Sequence, residues 1–277
     1  MSTPLEYAVY ITDPIEQTAP PLPNGETPRW SPLSTTLVYS EKHAVLVDPP
    51  FTIAETDAVG DWVESYGRTL THIFITHGHG DHWFGAPRLA QRFGATIVAA
   101  AGTATAMEAS RAGLAWWEAS FPGQIPDTKL EVSTPGDGLI PLEGHEVRIV
   151  EAGHGDTDHS AVLHVPAIGL VVAGDVIYDG YHQMLREAQG DGVERWIEAI
   201  DKVAELKPSL IVAGHKRKER DNDANRQIAD TKAYLVAARE VIDSGSDLQQ
   251  FYAGLTGRFP ERLNPNAVYI GGLGLFG

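Results

Sequence analysis

The sequence predicts an α/β protein in which sheets are covered by helices. Stretches with apolar residues at helical spacing alternate with short β-like apolar runs, and β-rich blocks occur in both halves of the chain. Several of those apolar runs end in glycine followed at once by histidine or aspartate. No linker separates the halves of the 277 residues, so the simpler reading is one domain over 1–277 with a C-terminal helical extension at about 221–277.

A first strand is expected at 7–11. The loop at 14–32 follows, where Pro20, Pro21, Pro23 and Pro28 argue against regular structure. Two β-like runs at 35–40 and 44–47, separated by Glu41-Lys42-His43, read as a hairpin. Apolar residues at Ile53, Ala54, Ala58, Trp62, Val63 and Tyr66 predict a helix over 53–66, punctuated by Gly67. A short strand at 70–75 runs straight into His77-Gly-His-Gly-Asp-His82. Then come a helix at 86–93 ended by Gly94, a buried strand at 96–100, and a helix at 103–120. Strands are expected at 130–133, 146–151, 161–165 and 170–172, a helix at 193–206, and a strand at 209–212 ahead of Gly214-His215. Helices at 222–244 and 247–255 follow. The Gly-rich apolar tail, 268–277, is expected to pack on the body or on a partner subunit, which leaves a homodimer open.

The charge balance excludes some partners. With 37 acidic residues against 21 basic ones, the formal charge is −16. Sequence-independent nucleic-acid binding needs clustered Lys and Arg, and anionic membranes attract polybasic segments, so neither is an expected partner. The basic run Lys216-Arg-Lys218 with Arg220 is too short to change that. The start of the chain has no basic region leading into an apolar core, and the longest apolar stretches, such as 167–173, are too short to span a membrane. A cytoplasmic protein acting on a small molecule is therefore expected.

The absence of cysteine, set beside 11 histidines, directs the chemistry. It excludes disulfides, thiolate metal sites and a Cys nucleophile, so any metal must rest on imidazole and carboxylate. His77, His79, Asp81 and His82 fall within six positions on a loop made tight by Gly78 and Gly80. That density of ligand types is a strong metal signal. His154, Asp175 and His215 share one setting: an apolar run, a glycine, then a ligand-type side chain. Five His and two Asp suit a pair of metals.

The run His77-x-His79-x-Asp81-His82, followed in order by His154, Asp175 and His215, resembles the metallo-β-lactamase superfamily of binuclear metallohydrolases over about 35–216. The resemblance implies an αββα four-layer sandwich, two mixed β-sheets flanked by helices, with metals at one sheet edge. By the same carry-over, His77, His79 and His154 would hold one metal. Asp81, His82 and His215 would hold the second, with Asp175 bridging. Asp48, at a strand end, either braces a ligand imidazole or serves as a simple turn residue. Two divalent cations, zinc first with iron, manganese or cobalt as alternatives, would acidify a shared water and polarise the scissile bond. Asp81 would orient that nucleophile and pass its proton to the leaving group.

Substrate choice is less legible. Tyr178, three residues after Asp175, has the spacing seen in metal-dependent lactonases, where a Tyr hydroxyl stabilises the oxyanion; the plain alternative is a Tyr packed at a strand end. Phe84 stands where such members often carry Gly. Trp83, Phe84, Trp116 and Trp117 either wall an apolar pocket or pack the core. Asp156 and Asp158 read as a solvated acidic turn, His159 as a loop residue, and His43, His72, His145, His164 and His182 as structural or surface residues. The expected function is hydrolysis of a small carbonyl ester or lactone. The alternatives are a glutathione-type thioesterase, a β-lactamase-like hydrolase and an iron-dependent sulfur dioxygenase.

Overall fold

The computed structural model describes residues 4–277 except 128, 130 and 246. The strands are β1 (Glu6–Ile11), β2 (Ile15–Glu16), β3 (Arg29–Trp30), β4 (Ser34–Tyr39), β5 (His43–Val47), β6 (Thr69–Ile75), β7 (Thr96–Ala99), β8 (Val132–Ser133), β9 (Arg148–Gly153), β10 (Ser160–Val165), β11 (Leu170–Asp179) and β12 (Leu210–Lys216). The helices are α1 (Ile53–Ser65), α2 (Ala86–Phe93), α3 (Ala101–Ser110), α4 (Leu114–Ser120), α5 (Gly192–Glu205), α6 (Ala224–Asp243), α7 (Leu248–Arg258) and α8 (Pro265–Phe276).

One sheet runs β1-β4-β5-β6-β7-β8 and the other β12-β11-β10-β9. Both are mixed: β1, β4 and β5 pair antiparallel while β5, β6, β7 and β8 run parallel. In the second sheet only β11 and β12 are parallel. Val38, Val45, Val47 and Phe74 of the first sheet pack with Leu163, Val165, Val172 and Val212 of the second in one buried cluster. Each such side chain contributes about 1.5–3 kcal/mol when taken from water. A second cluster joins the first sheet to α1, α2 and α4, and a third joins the second sheet to α5, α6 and α7. Helices, sheet, sheet and helices therefore form the four layers of an αββα sandwich. No helix among the described residues is long and apolar enough to cross a membrane.

Local chemistry sets two ends of the helices that cover the first sheet. Thr52 caps α1, its hydroxyl accepting from Glu55 N at 3.3 Å and donating to Glu55 Oε2 at 2.8 Å. Gly94 ends α2 in the left-handed region.

Three expectations are corrected. The Pro-rich loop holds a small hairpin, β2 with β3, in which Ile15 faces Trp30. The helix expected at 103–120 is two, because the chain tightens into a 3-10 turn at Arg111–Gly113. The strand expected at 170–172 runs on to Asp179: a register shift at Gly174, which has φ +49°, lets it continue, so Asp175 and Tyr178 lie inside β11. The Gly-rich tail, within the expected helical extension, is helical from Pro265 and packs on the body, where glycine allows close docking: a Cβ on Gly274 would lie 2.4 Å from Arg186 O. Leu130, first residue of the strand expected at 130–133, lies outside the described residues.

Two features of the second sheet have measurable consequences. Asp179 is fully buried at the end of β11, its Oδ1 2.8 Å from Nη1 of both Arg220 and Arg226. Asp179→Ala would leave two guanidinium groups facing a void and is expected to cost about 3 kcal/mol, the low end for breaking a buried pair because both arginines are partly exposed. An unchanged urea midpoint would refute this. His182, also buried, meets Tyr234 Oη at 3.0 Å through Nδ1, and burial, reinforced by Arg262, pushes its pKa down to about 3. The folded ring stays neutral while the unfolded one takes up a proton below about 6.5, so stability falls as pH drops through that range. This one group is expected to remove about 2 kcal/mol between about pH 7 and about pH 5. His182→Gln should flatten that part of the profile; equal losses in the variant and the native protein would rule the effect out.

Candidate metal centre

The cluster lies at the ends of β5, β6 and β12 and beside the irregular middle of β11. Asp48 N donates to Phe74 O at 3.0 Å, which sets the end of β5 beside the turn after β6. From there the chain passes through Thr76 to His77 and His79 and into a 3-10 turn at Gly80–His82. That turn is held from outside by Phe84, whose ring occupies the space a Cβ on Gly80 would take. Phe84 is thus a core residue, packed on Trp83 and Trp117.

Around His82, Oδ1 of Asp175 lies 3.2 Å from Nε2 of His82, and Oδ2 of Asp175 lies 3.2 Å from Nε2 of His215. Asp81 Oδ2 is 3.6 Å from His215 Nε2 and 3.8 Å from His82 Nε2. Asp81, His82 and His215 each bring a ligand atom within 4.8 Å of the others. The site tolerates no side chain at position 214, where a Cβ would fall 2.0 Å from Asp175 Oδ1. Burial alone would raise the Asp175 carboxyl, but His215 and His82 outweigh it and hold it well below the usual carboxylate range.

Beside this group, His77, His79 and Asp156 form another with ligand atoms within 4.8 Å. His154, which the sequence placed with His77 and His79, belongs to no such group among the described residues. Its Nδ1 is 2.8 Å from Asp158, itself paired with Arg195 at 2.9 Å, and its buried Nε2 has no hydrogen-bond partner. The acidic turn was read as solvated, yet Asp156 is only 2% exposed and burial raises its carboxyl to about 7 against the pull of His79. A signal was present: His154-Gly-Asp-Thr-Asp-His159 repeats the ligand-and-glycine density of the first motif.

Asp48 also meets the distance criterion with His77 and His82, but both of its oxygens are already engaged. Oδ1 accepts from Thr76 N at 2.9 Å, and Oδ2 accepts from Thr76 Oγ1 at 2.6 Å and lies 2.9 Å from His82 Nδ1. That is the geometry of a brace, leaving His82 Nε2 free for the cluster. Comparable braces escaped the sequence reading: Trp30 Nε1 donates to Asp81 Oδ2 at 2.9 Å, Pro32 O lies 2.7 Å from His215 Nδ1, and Glu187 Oε1 lies 3.2 Å from His79 Nε2. Trp30 comes from the two-residue strand β3 and Glu187 from the loop between β11 and α5, both too short or irregular to carry a periodic signal.

Tyr178 lines the cavity, and its hydroxyl donates to Asp175 Oδ2 at 2.5 Å. Burial, with Asp175 next, pushes the phenol well above its ordinary value, so it stays a donor. His159 adopts φ +61° with its ring against Gly102, and His43, His72, His145, His164 and His182 join none of the ligand groups. The cavity above the cluster measures about 350 Å³. Trp30, Trp116, Trp117, Met184 and Ile270 give it apolar walls, and Arg186, Asn264 and Asn266 are its polar rim.

Metal ions fit this set on a structural criterion. Within the ligand groups and at Asp175, His77 Nε2, His82 Nε2, Asp156 Oδ1 and Asp175 Oδ1 are all buried without hydrogen-bond partners. Buried polar atoms are seldom left so, and coordination would satisfy them.

An αββα sandwich carrying His and Asp ligands at its sheet ends defines a class of metal-binding proteins. Residues 28–215 match the family model described as the metallo-beta-lactamase superfamily, and the chain belongs to that superfamily. Curated relatives include a metal-dependent hydrolase of Brucella ovis, 36% identical over 117 residues, and another of Agrobacterium fabrum, 40% identical over 110 residues. The chain spans only 42% and 40% of the length of these two relatives, and the matches cover the same shares of the chain itself. Similar solved structures include a metallo-beta-lactamase from Pontibacter korlensis (TM-score 0.60, 19% identity, 84% of this chain and 99% of that one). A metallo-beta-lactamase family protein from Thermus thermophilus gives a TM-score of 0.62 at 16% identity over 94% of this chain and 91% of that one. At such identities the likeness speaks for the fold.

Proposed function

We propose that the protein is a metal-dependent hydrolase that uses two divalent cations, zinc in the first instance, to cleave a small and largely apolar ester or lactone. The carrying observation is the set of unpartnered imidazole nitrogens and carboxylate oxygens gathered beneath an aromatic-walled cavity. Its relatives named as metal-dependent hydrolases support the same reaction class. Held by Asp81, His82, Asp175 and His215 on one side and His77 and His79 on the other, the metals would supply an acidified water and charge stabilisation at the scissile carbonyl.

The chain's own groups do the rest. Trp30 fixes one oxygen of Asp81, which faces the cavity and is placed to take a proton from the attacking water and return it to the leaving alcohol. Asp48 and Pro32 O orient the imidazoles of His82 and His215, so that Nε2 of each points at the cluster. Tyr178 steadies Asp175, and the indole walls exclude water and suit an apolar acyl or aryl group. The net charge of −16 supports a small molecule over nucleic acid.

Metal analysis of protein purified with zinc supplementation, joined to a screen of lactones, aryl esters, thioesters, phosphodiesters and β-lactams, tests the proposal. Two metals per chain with turnover of a lactone or aryl ester is the expected result; protein that binds no metal would end it. A second reading, an iron-dependent sulfur dioxygenase, is favoured by the two-histidine, one-carboxylate composition of the His77, His79 and Asp156 group. A single bound iron and oxygen uptake with a thiol or persulfide would replace the first reading by the second.

A further inference from the structure

The geometry points to Asp156 as a direct ligand of the metal held by His77 and His79. Asp156 Oδ2 lies 2.8 Å from His79 Nδ1, and Oδ1 lies 3.8 Å from His77 Nε2. The first contact is a hydrogen bond that holds the carboxylate against His79, and the second leaves room for an ion between Oδ1 and His77 Nε2. Neither Asp156 Oδ1 nor His77 Nε2 has a hydrogen-bond partner, although both atoms are buried. A carboxylate turned inward with one oxygen unsatisfied is costly unless something binds it.

The surrounding loop keeps Asp156 in that place. Gly155 N donates to Thr157 O at 2.9 Å and closes a tight turn around Asp156. Thr157 Oγ1 donates to Glu187 Oε2 at 2.7 Å, and the other Glu187 oxygen meets Nε2 of His79, so Nδ1 of His79 is the nitrogen left to face Asp156. One connected path, Thr157 to Glu187 to His79 to Asp156, therefore orients both ligands. His154 joins no ligand group among the described residues: Asp158 holds its Nδ1, and its Nε2 lies against the start of α5, 3.1 Å from where a Cβ on Gly192 would be. This site would thus have an anionic oxygen where a purely imidazole set would have none, and oxygen ligands shift preference from zinc toward manganese and iron.

The inference rests on the metal-centre part of the proposed function and is independent of the substrate. The test is a crystal structure of the full-length protein grown with zinc, combined with calorimetric zinc and manganese titrations of the native protein, Asp156→Asn, Asp156→Ala and His154→Ala. A zinc–Asp156 oxygen distance of about 2.0–2.2 Å is expected. Both Asp156 variants should weaken one of the two zinc steps by about 100-fold, and manganese by at least as much, while His154→Ala should weaken that step less. Thermal melts of the zinc-free proteins separate a lost ligand from a lost fold. An Asp156 carboxylate beyond about 3 Å from the ion, or native zinc affinity in Asp156→Asn, would overturn the inference yet leave the hydrolase proposal standing. Native protein that takes up no metal would sink both.

Discussion

Asp175→Ala is expected to reduce ester or lactone turnover by about 10³-fold or more while the fold survives. The two oxygens of this carboxylate face different imidazoles at 3.2 Å, His82 through Oδ1 and His215 through Oδ2. Removing it leaves those nitrogens without a shared anion and weakens whatever they hold. Several kcal/mol of charge stabilisation lost at the transition state corresponds to that factor, since about 1.4 kcal/mol is tenfold in rate. The structural cost is smaller: Tyr178 loses its acceptor, worth about 1–3 kcal/mol for a buried hydroxyl. The variant should therefore melt cooperatively at a reduced temperature and bind less metal. Turnover within about tenfold of native would remove Asp175 from the mechanism.

Asp48→Ala is expected to lower both stability and metal affinity. Three donors converge on this buried carboxylate, from Thr76 N, Thr76 Oγ1 and His82 Nδ1, and Thr35 Oγ1 donates to its backbone carbonyl. Deleting it strands a buried amide and frees the His82 ring. The residue also sits at φ +50°, a conformation alanine tolerates less well than aspartate. Together these argue for a loss of about 3 kcal/mol and a 10- to 100-fold weaker metal step at the Asp81, His82 and His215 group. Asp48→Asn keeps the shape and an acceptor for Thr76 N, so it should fall between the native protein and Asp48→Ala. Denaturant melts and metal titration of both variants measure the two effects separately. A simple turn role would leave metal affinity untouched.

Periodicity and punctuation made the layers readable. The helix ending at Gly94 and the strand running into His77 follow from local residue types, and local chemistry is what a sequence displays. The ligand-rich turn was legible for the same reason, as His77, His79, Asp81 and His82 are close in the chain as well as in space. Legibility failed where distance in sequence intervened. Trp30 reaches Asp81 and Glu187 reaches His79 across long separations, and nothing near either residue marks the contact. Asp156 was misjudged because an acidic, glycine-containing turn has the composition of a solvated loop; it is buried facing His77 and His79, far away in the chain, which composition does not show. The C-terminal extension was expected to be helical despite the glycines of its last segment, α8. They disfavour helix in isolation, and here they permit approach to the backbone of the loop at 185–186.

That helix separates two events in the life of the chain. Every residue of the proposed metal cluster has been synthesised once His215 is added, whereas α8, which brings Ala267 and Ile270 to the cavity, is made later. A nascent chain can thus assemble its inorganic chemistry before the chamber that selects a substrate has all its walls. The same separation is open to evolution and to protein engineering: exchanging residues along α8 recuts the chamber without touching a metal-facing side chain.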